Sequence, residues 1–343
     1  MDKIQYISPS LFYYWEKCPL QSVLSKQPTG NSFFPKHPDA DLGSLIHKFY
    51  EKQNEWNIDS LESFNSKWNY EISKINKQYQ SDKLQCNYYP IQWNSKYYAI
   101  KKQLLCKNII LREKKGAEEP TAQIQYLYEK WINNDIVGGK IDLIVKENNK
   151  IEQIIDFKTG NIYEKTGKKF QLKEVYKQQL ALYCAVILER QDFMPDLYIE
   201  TMNGKRVKIK VDIEYIEILM NKAKSLKEKI NSAIETNTTN LLANCNSENC
   251  EYCNYRPYCE IYKTTFMNQK IGSRIDIEGC IIGVKTTEVI VEKSNKNRFV
   301  IKNVKNIANY KVDIKCKIYN LYFPENENNW LYETLSTVIK YEE

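Results

Sequence analysis

The sequence GKIDLIVKENNKIEQIIDFKTG, from Gly139 to Gly160, decides the fold. Two short runs rich in β-branched residues, 136–145 and 151–157, lie on either side of the polar segment 147–150. Such runs favour strands, and the segment between them has the composition of a turn, so the sequence predicts a β-hairpin. The run 172–188 that follows has helical periodicity, which indicates a mixed α/β fold.

Three polar side chains of this hairpin are expected to converge. Alternate strand residues share a face, so Asp156 and Lys158 point the same way while Phe157 faces the core. Asp142 lies near the start of the preceding strand's apolar run and can reach the same point. Two carboxylates that bind Mg²⁺ or Mn²⁺, beside a lysine that orients water or stabilises phosphoryl charge, suit phosphodiester hydrolysis. An Asp-x-Lys triplet alone is weak evidence, because it also fits an exposed, charged strand end.

Two helices flank the hairpin and carry further polar residues. An early helix starts at about Gly43 and contains His47, and the helix after the hairpin contains Gln179 and Tyr183. These last two residues are four apart and therefore share a helix face. Taken singly, His47 fits an ordinary core or surface histidine, and Tyr183 fits the core. Their order around the hairpin favours a functional site.

The order of these features resembles the PD-(D/E)xK nuclease superfamily, specifically its RecB-like branch. That branch includes the nuclease domains of the RecB and AddB helicase–nucleases and the CRISPR adaptation exonucleases. The resemblance covers roughly residues 1 to 262. The matching motifs are Gly43-Ser44-Leu45-Ile46-His47, Gly139-Lys140-Ile141-Asp142, Asp156-Phe157-Lys158-Thr159-Gly160 and Gln179-Leu180-Ala181-Leu182-Tyr183.

This resemblance implies a restriction-endonuclease-like fold, in which helices flank a mixed sheet. The divalent-metal ligands that it implies are His47, Asp142, Asp156 and the backbone carbonyl of Phe157. The catalytic residues that it implies are Asp142, Asp156, Lys158, Gln179 and Tyr183. In that scheme the glutamine and the tyrosine position the lysine and the substrate strand, and Mg²⁺ or Mn²⁺ is the cofactor.

A group of cysteines follows the helical part of the sequence. Ten cysteines in a chain without a secretory signal are expected to be metal ligands or buried thiols rather than disulfides. Cys250, Cys253 and Cys259 lie within ten residues, and Cys18, next to Pro19, is the candidate fourth ligand. Four thiolates suit either zinc or an iron–sulfur cluster, so the residues alone leave both open.

The resemblance favours iron at these cysteines. Iron–sulfur members of the RecB-like branch carry one cysteine near the N-terminus and three after the nuclease core. The similarity implies a [4Fe–4S] cluster that staples the two ends of the nuclease part, with the ligands Cys18, Cys250, Cys253 and Cys259. Cys245 is an alternative ligand outside the pattern. The other cysteines are predicted to pack among apolar residues: Cys86, Cys106, Cys184, Cys280 and Cys316.

The sequence predicts two domains. Residues 1–264 are expected to form the nuclease domain, with a helical insertion at about 52–134, and residues 268–343 a second domain. Strands are predicted in the second domain at 273–284, 287–293, 298–302, 311–322 and 330–338. Several short strands in so short a segment favour a small OB-like β-barrel.

The second domain also has a basic stretch. Between Lys293 and Lys317 there are eight Lys or Arg residues against one acid, Asp313, so this stretch alone equals the net charge of +7 of the whole chain. A basic surface with aromatic residues is typical of single-strand binding in OB barrels. The candidate contacts are Lys296, Arg298, Lys302, Lys305, Lys315 and Lys317. Alternatively, the aromatic residues fill the barrel and the lysines are solvated, or the barrel binds a protein.

Other features narrow the class of protein. No apolar run approaches the roughly 18 residues that span a bilayer, and no signal peptide is recognisable, so a cytoplasmic protein without membrane contact is expected. Together these observations predict a Mg²⁺- or Mn²⁺-dependent deoxyribonuclease, an exonuclease on single strands or DNA ends, in DNA repair, recombination or anti-phage defence. Its expected partners are DNA and a helicase or other DNA-processing protein. The alternatives are an iron–sulfur nucleic-acid-binding subunit of a helicase or integrase complex, and an RNase.

Overall fold

The computed structural model describes residues 2–27, 33–53, 55–116, 124–167, 169–325 and 330–342. The helices in these ranges are α1 (Phe12–Lys17), α2 (Leu20–Leu24), α3 (Pro38–Lys52), α4 (Leu61–Ser81), α5 (Ile91–Asn94), α6 (Tyr98–Gly116), α7 (Glu174–Leu188), α8 (Ile213–Glu235), α9 (Ser247–Cys250) and α10 (Glu260–Phe266). The strands are β1 (Ile124–Asn133), β2 (Gly138–Glu147), β3 (Lys150–Lys158), β4 (Tyr163–Thr166), β5 (Lys169–Leu172), β6 (Asp196–Thr201), β7 (Arg206–Ile209), β8 (Lys270–Ile271), β9 (Arg274–Val284), β10 (Val289–Glu292), β11 (Arg298–Lys302), β12 (Lys315–Tyr322), β13 (Trp330–Tyr332) and β14 (Val338–Tyr341).

The chain divides into two compact units. The first unit consists of Met1–Glu16, Lys36–Ser81 and Tyr88–Asn237. The second unit consists of Lys17–Pro35, Asp82–Asn87 and Thr238–Glu343. The predicted active-site residues fall in the first unit, and the predicted cluster ligands and C-terminal strands fall in the second.

The first unit is built on a mixed sheet with the strand order β1-β2-β3-β6-β7. β3 and β6 run parallel, whereas the other neighbouring pairs are antiparallel. The predicted hairpin is confirmed, because β2 pairs with β3 across a turn at Asn148 and Asn149. Both asparagines have positive φ angles, 50° and 66°, as tight hairpin turns require.

Helices cover both faces of this sheet. Phe157 stacks on Tyr50 of α3 with ring centroids 4.5 Å apart, whereas Asp156 accepts a hydrogen bond from Gln179 of α7. Neighbouring residues of a strand point to opposite faces, so α3 and α7 lie on opposite sides of β3. The structure therefore has the predicted α/β architecture, a mixed sheet flanked by helices.

The predicted helical insertion at about 52–134 is wrong at its C-terminal end. α4, α5 and α6 are helices, but Ile124–Asn133 is strand β1 and pairs with β2 along its length. Ile124, Tyr126 and Tyr128 recur at every second position, a period that suits a strand, and the dense aromatic residues around them obscure it. Residues 54 and 117–123 of the predicted insertion lie outside the described residues.

The helical segment near the N-terminus is divided in two. α1 ends at Lys17 and α2 begins at Leu20, with Cys18 and Pro19 between them. Proline has no backbone N–H to continue the hydrogen-bond ladder, so it favours a new helix start at this point. The break separates Cys18 from α1.

The C-terminal strands form the all-β region that the sequence predicts. β9, β10, β11, β13 and β12 follow one another in a closed ring, because β12 pairs with β9 as well as with β13. β11 and β13 are parallel, and the other neighbours in the ring are antiparallel. Its buried core is Ile275, Ile277, Ile281, Val289, Val291, Phe299, Ile301, Val304, Tyr310, Cys316, Ile318, Leu321 and Leu331.

Two predicted strands of this region have different limits. The strand predicted at 311–322 begins only at Lys315, and the one predicted at 330–338 is two strands, β13 and β14. A turn separates β13 from β14, in which the Thr337 N–H donates to the Thr334 carbonyl. The hydroxyl of Thr334 accepts from the N–H of Ser336. Such local side-chain hydrogen bonds compete with a continuous ladder.

Candidate active site

The first group of site residues surrounds His47 on α3. Its Nδ1 atom is 3.3 Å from Oδ1 of Asp142 on β2 and 3.5 Å from Oε1 of Glu129 on β1. One candidate ligand atom from each of these three side chains lies within 4.8 Å of the other two. Oxygen and imidazole donors at this spacing fit a divalent cation such as Mg²⁺ or Mn²⁺.

This group of side chains concentrates negative charge around the imidazole. Burial disfavours the charged form of His47, but the carboxylates of Asp142 and Glu129 outweigh it and raise the pKa of His47 to about 10. Histidine binds a metal ion as the neutral imidazole, so a divalent cation competes with this proton. The two carboxylates therefore provide a place for positive charge, either a proton on the histidine or a metal ion.

Glu129 is a site residue that the sequence analysis does not identify. It lies on β1, in the segment predicted as helix, and the ladder of β1 with β2 places it across from Asp142. Its φ angle is +49°, a conformation that costs a non-glycine residue about 1–3 kcal/mol. Its Oε2 atom is 3.2 Å from Nζ of Lys140. The two-residue period that precedes it is the signal that could have revealed this strand, and with it the glutamate.

The second group of site residues surrounds Lys158 on β3. Its Nζ atom is 2.6 Å from Oδ2 of Asp156 and donates to Oε1 of Gln179 at 3.3 Å. The Nε2 atom of Gln179 in turn donates to Oδ1 of Asp156 at 2.8 Å. Asp156 and Gln179 are both buried, so the three side chains hold one another in fixed positions.

Burial also determines the protonation of this second group. It raises the pKa of Asp156 to about 6, against the opposing charge of Lys158. For Lys158, burial disfavours the ammonium form, but the carboxylate of Asp156 outweighs it and raises the pKa. The lysine therefore remains a cation near neutral pH and can stabilise an anion.

A backbone hydrogen bond joins the two groups. Oδ2 of Asp142 accepts from the N–H of Phe157 at 2.7 Å. Phe157 is the residue between Asp156 and Lys158, so the carboxylate from β2 is anchored in the middle of the Asp-x-Lys triplet. The structure thus brings together the predicted residues His47, Asp142, Asp156, Lys158 and Gln179, with Glu129 added.

Tyr183, the remaining predicted residue, contacts the backbone of β2. Its hydroxyl donates to the carbonyl of Lys140 at 2.7 Å. A Cβ atom at Gly139 would lie 3.1 Å from the Tyr183 ring and 3.0 Å from Pro9, so only glycine fits there without a shift. Tyr183 therefore positions the strand that carries Asp142.

The second unit brings the predicted cluster ligands around one cavity. Cys18, Cys250, Cys253 and Cys259 line one pocket, together with Cys245. The Sγ atoms of Cys245 and Cys259 are 3.8 Å apart. Burial raises the pKa of Cys18, of Cys250 and of Cys253, the last to about 12, which disfavours free thiolates. A bound metal would displace these protons, because cysteine binds a metal as the thiolate.

The remaining cysteines are mostly buried, as predicted. Cys106, Cys184 and Cys316 are buried and Cys280 is half-buried. The packing prediction is wrong for Cys86, which is exposed in a short 3₁₀ turn where its Sγ contacts the carbonyl of Lys83.

A buried arginine fixes the cysteine loop to the barrel within the second unit. Arg256 donates to the carbonyls of Cys250, Glu251 and Cys253 at 2.9–3.1 Å. Its Nε atom is 2.8 Å from Oδ2 of Asp276 on β9. Arg256 and Asp276 are 3% and 1% exposed, so this is a buried ion pair whose charges are satisfied by further hydrogen bonds.

The six basic residues predicted to contact nucleic acid occupy different surroundings on the barrel. Arg298 pairs with Glu292 at 2.9 Å, and Lys317 pairs with Glu342 at 2.8 Å. Lys302 lies over the ring of Trp330 instead. Lys296 follows β10 in a turn, Lys305 follows β11, and Lys315 begins β12. The six basic residues therefore differ in the partners that surround them.

The mixed sheet with its carboxylates and lysine defines a nuclease of the PD-(D/E)xK type. The model of the PD-(D/E)XK nuclease superfamily matches residues 6–260, which include all of the active-site residues above. The chain belongs to this superfamily.

Two known proteins are similar to parts of this chain. An ATP-dependent helicase/nuclease subunit of Clostridioides difficile (strain 630) is 31% identical over 183 residues, which are 50% of this chain and 13% of that protein. The chain thus spans about an eighth of that relative's length. A crystal structure described as that of a presumed exonuclease from Eubacterium rectale is 13% identical, with a TM-score of 0.37. The match covers 76% of this chain and 88% of that chain.

Within the described ranges, no helix has both the length and the hydropathy to cross a membrane.

Proposed function

We propose that this chain hydrolyses DNA phosphodiester bonds with Mg²⁺ or Mn²⁺, as an exonuclease on single strands or DNA ends. The observation that carries this proposal is the hydrogen bond from the Phe157 N–H to Asp142. It joins the metal-binding candidates around His47 to the pair Asp156 and Lys158. Carboxylates beside a fixed cation are what hydrolysis of a phosphodiester requires.

The donor set of this chain fits a divalent metal ion. His47, Glu129 and Asp142 would hold it, with Asp156 and the Phe157 carbonyl as the further ligands implied by the superfamily's motifs. When bound, the ion supplies charge that polarises the phosphate and lowers the pKa of a water molecule. The donor atoms of the protein are mostly oxygens, which favours Mg²⁺ or Mn²⁺ over softer metals.

The protein's own contribution is to fix a cation beside the scissile phosphate. Lys158 is held by Asp156 and Gln179, so little rearrangement is needed when negative charge develops on the phosphate. Tyr183 holds the backbone at Lys140 and thereby the strand that carries Asp142. Catalysis here depends on fixed geometry more than on a single strong base.

We also propose a [4Fe–4S] cluster on Cys18, Cys250, Cys253 and Cys259. The four cysteines line one pocket, as the resemblance implies for the ligands of such a cluster. The cluster would have a structural role, because it would link Cys18 to a segment some 230 residues later.

The C-terminal strands support a division into a nuclease domain, residues 1–264, and an OB-like barrel, residues 268–343. The superfamily match ends at residue 260, and the first barrel strand begins at Lys270. The closed ring of short strands is the arrangement expected of a small barrel that binds oligonucleotides. Arg256 binds both the cysteine loop and Asp276 of the barrel strand β9. These contacts explain why the cysteine loop and the barrel belong to the same compact unit.

The similarity to a helicase/nuclease subunit supports a helicase or other DNA-processing protein as a partner, and the cytoplasm as the location. The chain would then act in DNA repair, recombination or defence against phage. The main rival function is an accessory subunit that binds nucleic acid through the barrel and cuts little. The second rival is an RNase, because metal-dependent hydrolysis would use the same residues on either nucleic acid.

One experiment separates these functions. Purified protein is incubated with end-labelled single-stranded DNA, duplex DNA and RNA in Mg²⁺, Mn²⁺ or EDTA. The proposal predicts metal-dependent shortening of DNA from an end and no cleavage in EDTA. RNA cleavage with intact DNA would establish the RNase instead. Binding without cleavage in either metal would establish the accessory subunit.

A further inference from the structure

The ladder of the barrel aligns four side chains across neighbouring strands. Lys302 on β11 pairs with Tyr332 on β13, and Tyr332 pairs with Tyr322 on β12. Tyr322 in turn pairs with Arg274 on β9. Directly paired residues project from the same face of a sheet, so these four side chains form a transverse row.

Aromatic residues extend this row at both ends. Trp330 lies two positions before Tyr332 on β13 and therefore faces the same side, with Nζ of Lys302 3.0 Å from its ring centroid. At the other end, the guanidinium of Arg274 lies 4.9 Å from the ring centroid of Tyr252. We call the set Lys302, Trp330, Tyr332, Tyr322, Arg274 and Tyr252 the aromatic row.

The exposure of these rings shows that the barrel does not need them as core. Tyr252, Tyr322 and Trp330 are 65%, 45% and 43% exposed. The barrel core is filled by other residues, such as Ile277, Ile301 and Leu331, which are fully buried. Large exposed aromatic side chains in a contiguous group mark a binding surface more often than scattered ones do.

The two cations of the aromatic row lie against exposed aromatic rings. Lys302 lies over Trp330, and Arg274 lies over Tyr252 and also donates to the amide oxygen of Asn320. Arg298 and Lys317, by contrast, pair with the carboxylates of Glu292 and Glu342. The row spans four neighbouring strands, so Lys302 and Arg274 are three strand spacings apart, about 14 Å along the sheet at roughly 4.8 Å per spacing.

We infer that the aromatic row binds an unpaired nucleic-acid strand, with bases stacked on the rings and phosphates held by Lys302 and Arg274. Neighbouring rings with a cation on either side suit a single strand, because every base has a face that stacks and every link carries a charge. A duplex hides its base faces and would gain only the phosphate contacts. This inference deepens the proposed function, on which it rests, by naming the surface that holds the strand to be cut.

The test measures binding separately from cleavage. The full-length protein in EDTA is titrated into fluorescein-labelled oligo(dT), oligo(U) and a DNA duplex of equal length, and anisotropy is recorded. We expect oligo(dT) to bind more tightly than the duplex, and Tyr322→Ala or Trp330→Ala to weaken oligo(dT) binding about tenfold each. Lys302→Gln should reduce the dependence of binding on salt concentration, because one phosphate contact is lost.

Matched variants control for general effects. Trp93 is 85% exposed in the first unit, and Lys340 is a basic barrel residue on β14, outside the row. Trp93→Ala and Lys340→Gln should leave oligo(dT) binding unchanged, and Tyr322→Phe should retain it because the ring remains. Equal binding of oligo(U) would support the row as a site for unpaired strands of either sugar.

Several results would overturn the inference. The first is unchanged oligo(dT) binding in Tyr322→Ala, Trp330→Ala and Lys302→Gln. The second is a loss of oligo(dT) affinity in Trp93→Ala as large as that in the row variants. The third is duplex binding as tight as single-strand binding. Binding of poly-glutamate as tight as that of oligo(dT) would also overturn it, since the row would then recognise charge alone. Metal-dependent cleavage by the wild type is assayed in parallel. If the protein cleaves DNA but the row variants bind oligo(dT) normally, only this inference is wrong. If the row variants lose binding but the wild type does not cleave, only the nuclease proposal is wrong.

Discussion

The backbone N–H of Phe157 donates a hydrogen bond of 2.7 Å to the carboxylate of Asp142. This contact ties the predicted carboxylate of β2 to the centre of the Asp-x-Lys triplet on β3. Because the Phe157 ring stacks on Tyr50 of α3, the same residue also connects the site to the helix that carries His47. The position of Asp142 is therefore fixed by a backbone hydrogen bond and by core packing around Phe157. A substitution of Asp142 should change the site without unfolding the sheet.

Glu129→Gln tests whether the glutamate belongs to the metal site. Loss of one of the carboxylates around His47 should weaken Mn²⁺ binding about tenfold or more, as measured by electron paramagnetic resonance of free Mn²⁺. The control is Glu147→Gln at the exposed end of β2, which should bind Mn²⁺ like the wild type. Equal Mn²⁺ affinity in Glu129→Gln and the wild type would remove Glu129 from the site.

Gln179→Leu tests the support of the catalytic lysine. The substitution leaves Oδ1 of the buried Asp156 without its donor, which should lower the free energy of unfolding by about 1–3 kcal/mol. Because Lys158 also loses a partner, cleavage should slow at saturating substrate while the KM changes little. Urea unfolding and steady-state kinetics measure the two effects. A rise in KM with unchanged kcat would contradict a positioning role.

Cys250→Ser tests the proposed cluster. The variant should lose iron and acid-labile sulfide, and with them the visible absorbance of an anaerobic preparation. Cys245→Ser should retain all three, since Cys245 lies outside the predicted ligand set. Cys86→Ser, at an exposed position, is the neutral control. Zinc in place of iron in the wild type, or loss of iron in Cys245→Ser with retention in Cys250→Ser, would refute the ligand assignment.

Asp276→Asn tests the buried pair that fixes the cysteine loop. Removing the carboxylate leaves the Arg256 cation buried without its counter-charge, which should cost about 3–5 kcal/mol of stability. Arg298→Met breaks an exposed pair and should cost less than about 1 kcal/mol. Differential scanning calorimetry of the full chain compares the two. Similar unfolding temperatures for both variants would show that the buried pair adds no stability.

The local parts of the site follow from the sequence because they depend on short-range periodicity. Asp156 and Lys158 share a strand face, and Gln179 and Tyr183 share a helix face, whatever the remaining chain does. Glu129 could not be placed in this way, since its role depends on the pairing of β1 with β2 and on a φ angle of +49°. The proximity of Cys245 to Cys259 and the ladder from Lys302 to Arg274 are likewise long-range results of folding.

The proposed catalytic roles of Lys158 and Asp156 are tested by cleavage of end-labelled single-stranded DNA in Mn²⁺ by the wild type, Lys158→Met and Asp156→Asn. Lys210→Met, which removes an exposed lysine directly after β7, is the matched control. We expect metal-dependent cleavage by the wild type and by Lys210→Met. We expect at least a hundredfold loss in Lys158→Met and Asp156→Asn, each still folded by circular dichroism, since a fixed charge at a transition state contributes about that much. Cleavage at the wild-type rate by Lys158→Met or Asp156→Asn would contradict these roles.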